Sequence, residues 1–202
     1  GRTTPGLSME LGKIMRQRFG SPYAVMHRGD LAALLFSACG HLANIDIRFG
    51  VQHWDVVPDA DGVTVAIDGV DGDKATVRAD GFIGADGVHS HTRRNVLEGP
   101  DASFENRIAW RALVPAERVA NQIAPDRVSV FFGSGFHLVC YPLPHRQQVN
   151  LALFMPNNDA EVTAQPKPPR PGLHVEAILA AVGTNWTPWP LYTVDTDHWH
   201  KG

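Results

Sequence analysis

GFIGADGVHSHTRR, residues 81–94, joins a short apolar step to a glycine-flanked aspartate and then to a polar, basic run. Phe82 and Ile83 are expected to sit in a buried strand. Gly84 and Gly87 let the backbone turn tightly around Asp86 and approach a ligand closely. Ser90 is expected to cap a helix that runs into Arg93 and Arg94. In that order, a strand delivers the Asp86 carboxylate to a nucleotide. A Gly-Ala-Asp-Gly turn with no ligand is the alternative reading of the same residues, so the rest of the chain has to arbitrate.

The chain has 202 residues, 44% of them hydrophobic and 19% charged, which suits one large globular domain or two small ones. The net charge is -3 and the 18 Lys and Arg are scattered. No basic stripe marks the chain for nucleic acid or an anionic membrane. Cys39 and Cys140 lie in apolar surroundings. They read as two buried thiols in a reducing compartment, and therefore as a cytoplasmic protein. No charged-then-apolar leader opens the sequence, and its longest apolar run, around Leu31 to Cys39, is too short to span a bilayer. A soluble protein is expected.

Outward from residues 81–94 the elements are readable. Leu31, Leu34, Leu35, Ala38 and Leu42 follow helical spacing, with Asp30 as expected N-cap and Gly40 near the exit. Ile45 to Val57, Val63 to Ile67 and Ala75 to Ala79 read as strands, the last two joined by a turn at residues 69–73. After Gly99-Pro100, the expected boundary between two sub-structures, the segments Ile108 to Val114, Val128 to Phe132, Phe136 to Leu143 and Val149 to Met155 alternate as an antiparallel sheet does. Gln165 to Gly172 is a proline-rich loop. Val175, Ile178, Leu179 and Val182 then give an amphipathic helix ending at Gly183, and the last twenty residues read as irregular. The fold class is α+β, a partial α/β domain joined to an antiparallel sheet.

Four segments together resemble the FAD-dependent aromatic hydroxylases, the salicylate hydroxylase-like group A flavoprotein monooxygenases. His27-Arg28-Gly-Asp30-Leu31 is similar to that family's flavin-contacting arginine segment. Gly84-Ala-Asp86-Gly87, with Ser90 and Arg93, is similar to its aspartate-glycine motif. Trp110-Arg111-Ala-Leu-Val-Pro115 and Gly135-Phe-His137-Leu-Val-Cys-Tyr141-Pro142 are similar to its substrate-sheet segments. The likeness runs from about Tyr23 to the C-terminus. It implies a partial FAD-binding domain over residues 1–99, a substrate-binding sheet over 100–172, and a helix and return segment over 173–202.

The family holds FAD first with an N-terminal Gly-x-Gly-x-x-Gly turn, where helix amides meet the pyrophosphate. No such motif occurs here. Gly133-Ser-Gly135 is followed by Phe136-His137-Leu138 where a third glycine would be required. The family's later glycine-aspartate motif is also missing, so the sequence reads as the middle of a longer enzyme.

By the resemblance, Arg28, Asp86, Gly84 and Gly87 are cofactor-side residues. A guanidinium at a helix start serves phosphate or ribose oxygens, and a carboxylate accepts from hydroxyls. The alternatives are a surface arginine paired with a neighbouring acid and an ordinary turn aspartate. His137 and Tyr141 rest on the residues themselves. Four apart on a strand, they share a face about 13 Å long with Val139 between them, while Phe136, Leu138 and Cys140 point into the core. His137 is suited to orienting or deprotonating a phenol, and Tyr141 to donating to a ring substituent; the resemblance assigns the same pair to substrate contact. The bland reading is a half-exposed histidine and a packing tyrosine. Arg111, opposite Trp110, either meets a carboxylate or extends to solvent. Asp195, Asp197, His198 and His200 have a metal-like composition but no expected geometry, and no metal is assigned. His89 and His91 read as surface residues at a helix start.

The chemistry implied is hydroxylation of a small phenolic or hydroxy-aromatic acid, with NADH or NADPH reducing FAD and O2 then giving a flavin hydroperoxide. Two alternatives use the same residues: another flavoenzyme on the same scaffold, a halogenase or reductase, and a non-catalytic or inactive module that binds an aromatic ligand. Exposed apolar surface on a partial cofactor domain is expected to drive self-association.

Overall fold

The computed structural model describes residues 6–162 and 164–202. Its elements, in chain order, are α1 (Leu11–Phe19), α2 (Arg28–Cys39), β1 (Val51–Asp59), β2 (Gly62–Gly69), β3 (Lys74–Ala79), α3 (His91–Asn95), β4 (Ser103–Pro115), β5 (Ser129–Gly133), β6 (Phe136–Leu143), β7 (Gln148–Pro156), α4 (Gly172–Val182) and β8 (Thr187–Thr193). The fold is α+β. One compact unit runs to Ser37 and resumes over Glu105–Leu191; the other comprises Ala38–Phe104 and Tyr192–Gly202.

The first unit carries a five-stranded sheet of order β5-β6-β7-β4-β8. β6 alternates strictly: Phe136, Leu138 and Cys140 are buried, and His137, Val139 and Tyr141 are half-buried. Across the antiparallel ladder Leu138 lies opposite Leu153 and Cys140 opposite Leu151, and β4 adds Trp110 opposite Leu153 and Ala112 opposite Leu151. These side chains make one dry face together with Ile178, Val182 and Val119, all fully buried. Phe131, opposite Leu138 on that face, meets His174 of α4 at 5.2 Å between ring centroids. α4 therefore covers this side of the sheet. Burying each large aliphatic here contributes about 1.5–3 kcal/mol, which outweighs the poor capping of α4, whose N-cap Pro171 offers no side-chain bond. The opposite face carries His137 and Tyr141.

A two-residue hairpin at Ser134 and Gly135 joins β5 to β6. Gly135 has φ +77°, and a Cβ on Gly133 would lie 2.0 Å from the Phe136 ring. The Gly-Ser-Gly triplet is thus turn chemistry. In the second unit β1, β2 and β3 form an antiparallel meander, closed by the Gly69–Asp73 turn, in which the Gly69 amide donates to the Asp73 carbonyl at 2.8 Å.

Five expectations need correction. Phe82 and Ile83 are in no strand, and Ile83 is 90% exposed; among the described residues no strand offers that segment a ladder, so its apolarity has nothing to pair with. Residues 45–50 are likewise irregular, with β1 starting only after Gly50, at φ +73°. Asp30 does not cap α2. The helix begins at Arg28, the His27 carbonyl accepts from the Asp30 and Leu31 amides, and the His27 ring Nδ1 accepts from Gly29 N–H at 3.1 Å. Cys39 is half-buried; Cys140 alone of the two is buried. The final stretch is not wholly irregular, since β8 pairs at the sheet edge beside β4. α1, a helix with no buried residue, is an element the sequence reading lacks.

Candidate functional site

On the open face of the first unit, His137 is cross-strand to Phe132 on one side and to Phe154 on the other. Its ring stacks on Phe154 with centroids 4.6 Å apart and an interplanar angle of 11°. Phe132 stands 83% exposed, 6.3 Å away. Burial, seconded by repulsion from Arg107, lowers the His137 pKa below its ordinary value, so near neutral pH the ring is a neutral donor and acceptor. Val139 follows, opposite Ala152, then Tyr141, opposite Asn150. The small side chain at Ala152 and the fully buried Ala109 keep the middle of the face low. A planar ring between His137 and Tyr141 would lie on an aliphatic floor, with an imidazole at one end and a phenol at the other.

Arg111 is opposite Ala152 on this face. Its guanidinium lies over the Trp189 ring of β8, 4.8 Å from the centroid, so the arginine stacks rather than reaching straight for solvent. On the other side of the strand Cys140 is fully buried, and burial pushes its thiol up to about 12. It is a packing residue with no nucleophilic role.

In the second unit, Asp86 organises the start of α3. Its Oδ1 accepts from the Ser90 hydroxyl at 2.5 Å, and its Oδ2 from the Thr92 amide at 2.9 Å and the Thr92 hydroxyl at 3.2 Å. Ser90 Oγ in turn accepts from the Arg93 amide at 2.9 Å, as an N-cap does. Burial alone would raise the Asp86 pKa; the bonds from Ser90 and Thr92 outweigh it and bring it to about 2. Its own backbone amide adds to the bonds from Ser90 and Thr92, so most of the carboxylate's acceptor capacity is used. Gly84 and Gly87 serve this turn for different reasons. A Cβ on Gly84 would stand 2.6 to 2.8 Å from the Thr92 side chain, whereas Gly87 needs φ +84°. Arg93 is buried, with Nε donating to the Pro100 carbonyl and Nη2 to the Val88 carbonyl, both at 2.8 Å. These residues line a cleft of about 910 Å³.

The donor set fits part of a dinucleotide. Residues 83–87 are exposed, and the buried cation Arg93 stands in the wall. Among the described residues, Arg28, the other residue expected on the cofactor side, is exposed at the head of α2 with no side-chain ion pair or hydrogen bond; the neighbouring acid Asp30 pairs with Arg146 and His145 instead. Thr92, which holds Asp86 with two bonds, was missed. The signal available for it was its position two residues past the cap, where a β-branched hydroxyl can reach back. His91, read as a surface residue, packs edge-on against Trp54 at 5.1 Å and His53 at 5.6 Å, and His89 meets Tyr192 at 4.6 Å. Among the described residues no group of three or more His, Cys, Asp or Glu is placed to hold a metal, the 195–200 segment included. Nor is any helix long and apolar enough to cross a membrane.

The first unit thus offers a sheet with one covered and one open face, and the second an aspartate turn capping a helix. The family described as FAD binding domain matches residues 11–190, and the chain belongs to it. It is 33% identical over 153 residues to 3-hydroxybenzoate 6-hydroxylase of Klebsiella oxytoca, covering 76% of this chain and 37% of that protein. It is 28% identical over 157 residues to 3-hydroxybenzoate 6-hydroxylase 1 of Aquipseudomonas alcaligenes, covering 78% and 39%. Among solved structures, Klebsiella pneumoniae HpxO complexed with FAD and uric acid aligns over 90% of this chain and 47% of its own, with a TM-score of 0.64 and 19% identity. The chain thus spans about two fifths of the length of those curated relatives.

Proposed function

We propose that this chain is part of an FAD-dependent monooxygenase that hydroxylates a small aromatic substrate, a phenol or hydroxy-aromatic acid, using NADH or NADPH as reductant. The observation that carries this reading is the open face on which His137, stacked on Phe154, and Tyr141 flank the aliphatic floor of Val139 and Ala152. Membership of the FAD binding domain family and the hydroxybenzoate hydroxylases among its relatives support it.

Bound FAD would supply the oxygen-activating chemistry. The chain's own residues do the remainder. Neutral His137 accepts the phenolic proton at a ring nitrogen, and Tyr141 donates to the far substituent; together they fix the ring's position. Phe154, stacked on the imidazole, keeps water from that side. Arg28 serves a phosphate or ribose oxygen of FAD. Asp86 accepts a cofactor hydroxyl, and Gly84 and Gly87 allow that approach. In this reading, residues 1–99 contribute the cofactor side, 100–172 the substrate sheet, and 173–202 the return segment, in a cytoplasmic protein.

FAD titration of the purified chain, followed by quenching of flavin fluorescence, tests the cofactor assignment: Arg28→Ala is expected to weaken uptake tenfold or more. Saturable binding of 3-hydroxybenzoate, lost in His137→Ala and weakened in Tyr141→Phe, tests the sheet. An aromatic acid bound equally by all three would remove His137 and Tyr141 from the site. Exposed Leu34, Leu35 and Phe36 on α2 support self-association of the isolated chain, measurable by light scattering.

A further inference from the structure

One carboxylate joins the first turn of α2 to the tight turn at Pro144–Arg146 that links β6 to β7. Asp30 accepts from His145 Nε2 at 2.7 Å, from Arg146 Nε at 2.9 Å and from Arg146 Nη2, partners 115 and 116 positions away in the sequence. Both guanidinium bonds go to the same carboxylate, the two-pronged arrangement that fixes orientation as well as distance. Apolar packing does not do this work: neither α2 nor the Pro144–Arg146 turn contains a buried residue. The turn is itself braced. Gln147 N–H donates to the Pro144 carbonyl at 3.0 Å, and the Gln147 carbonyl accepts from Ala116 N–H, at the end of β4, at 2.9 Å. Asp30 lies two residues beyond Arg28 in the same helical turn. Arg146 lies five residues beyond Tyr141 on the same hairpin.

An exposed ion pair adds little to stability in general. Its geometry is another matter, because this one links by hydrogen bonds a helix start and a connecting turn that, among the described residues, bury no side chain of their own. We propose that Asp30 is a positioning residue, clamping the helix turn that carries Arg28 to the hairpin that carries Tyr141. The roles of Arg28 and Tyr141 rest on the function proposed above; the clamp itself rests on the hydrogen bonds.

Hydrogen–deuterium exchange on the 202-residue chain tests it, with D30N, R146Q, D30E and, as control, D126N, which breaks the exposed pair with Arg127. D30N is expected to speed exchange several-fold both at the Asp30 and Leu31 amides, which bond to the His27 carbonyl, and at the Gln147 amide. R146Q is expected to give the same two-sided pattern from the hairpin end, the double variant no more than either single one, and D30E a partial return of protection. D126N changes neither segment. If each variant loosens only its own element, the clamp is overturned, and R146Q decides this even if D30N fails to fold. Added FAD is expected to slow exchange at Gln147 in the unmutated chain and not in D30N. FAD uptake that leaves Gln147 unchanged in the unmutated chain overturns the link to the cofactor. Two-sided loosening by D30N in a chain that takes up no FAD upholds the clamp and overturns the role of Arg28 instead.

Discussion

The imidazole of His137 lies parallel to the ring of Phe154, 11° between planes and 4.6 Å between centroids, across the β6–β7 ladder. This stack places a titratable ring on an otherwise apolar strip, and burial then lowers its pKa. The protonated form is disfavoured in the folded state, so the unfolded chain binds the extra proton first as pH falls. The stabilising contribution is complete above the unfolded value of about 6.5 and is lost as pH drops from there toward the depressed folded value. Histidine NMR titration is expected to place His137 below 6.5. His137→Phe should flatten the stability–pH curve below pH 6.5, and an NMR value at or above 6.5 would contradict the burial argument.

Asp86 titrates in the opposite sense. Its pKa is brought to about 2 although burial pushes upward, because Ser90 and Thr92 donate to the ionised form. That contribution is present above the ordinary carboxylate value and disappears as pH falls from about 4 through about 2. Asp86→Asn removes the pH dependence in this window, and it leaves the Thr92 amide facing a side-chain NH2 or a weaker acceptor. Acid unfolding followed by circular dichroism reads this directly: a variant curve parallel to that of the unmutated chain between pH 4 and 2 would show that Asp86 is not the group concerned.

Gly84 and Gly87 separate two kinds of glycine requirement. Gly84→Ala drives a methyl into the Thr92 side chain and is expected to cost about 1–3 kcal/mol, with loss of the Ser90 cap geometry. Gly87→Ala has open space but a backbone at φ +84°, costing about 1–2 kcal/mol. Gly12→Ala, inside α1 with nothing within 4 Å of the added methyl, should stabilise by about 0.5–1 kcal/mol. Urea midpoints for the three variants give the order; Gly84→Ala as stable as Gly12→Ala would refute the packing account.

Arg111 and Trp189 offer a local probe of the sheet edge. Arg111→Met keeps the stem and removes the cation from over the indole, and should lower stability by about 0.5–1 kcal/mol. The Trp189 emission should shift in the same variant, read against a Trp189→Phe background.

Legibility of this chain followed the range of the forces involved. β6 was readable because a central strand buried on one face alternates residue by residue, and Phe136, Leu138 and Cys140 against His137, Val139 and Tyr141 state that period within the strand itself. The Ser90 cap was readable because its bond to the Arg93 amide closes over three residues. β8 was not, since Pro188 and Pro190 argue against a strand; an edge position beside β4 tolerates them. Phe82 and Ile83 look like a strand and form none, because a strand is completed by a neighbour.

The sequence alone therefore determined the α+β class, the covered and open faces of the main sheet, and the placing of Asp86, His137 and Tyr141 on a turn and a strand, all properties with a period or a short loop behind them. Only the tertiary structure decided what those groups touch. Asp86 spends most of its acceptor capacity on Ser90 and Thr92, His137 meets Phe154, and Asp30 reaches across 116 positions to Arg146 rather than capping its own helix. Partner choice depends on which distant side chain the fold brings within 3 Å, and no local pattern encodes that distance.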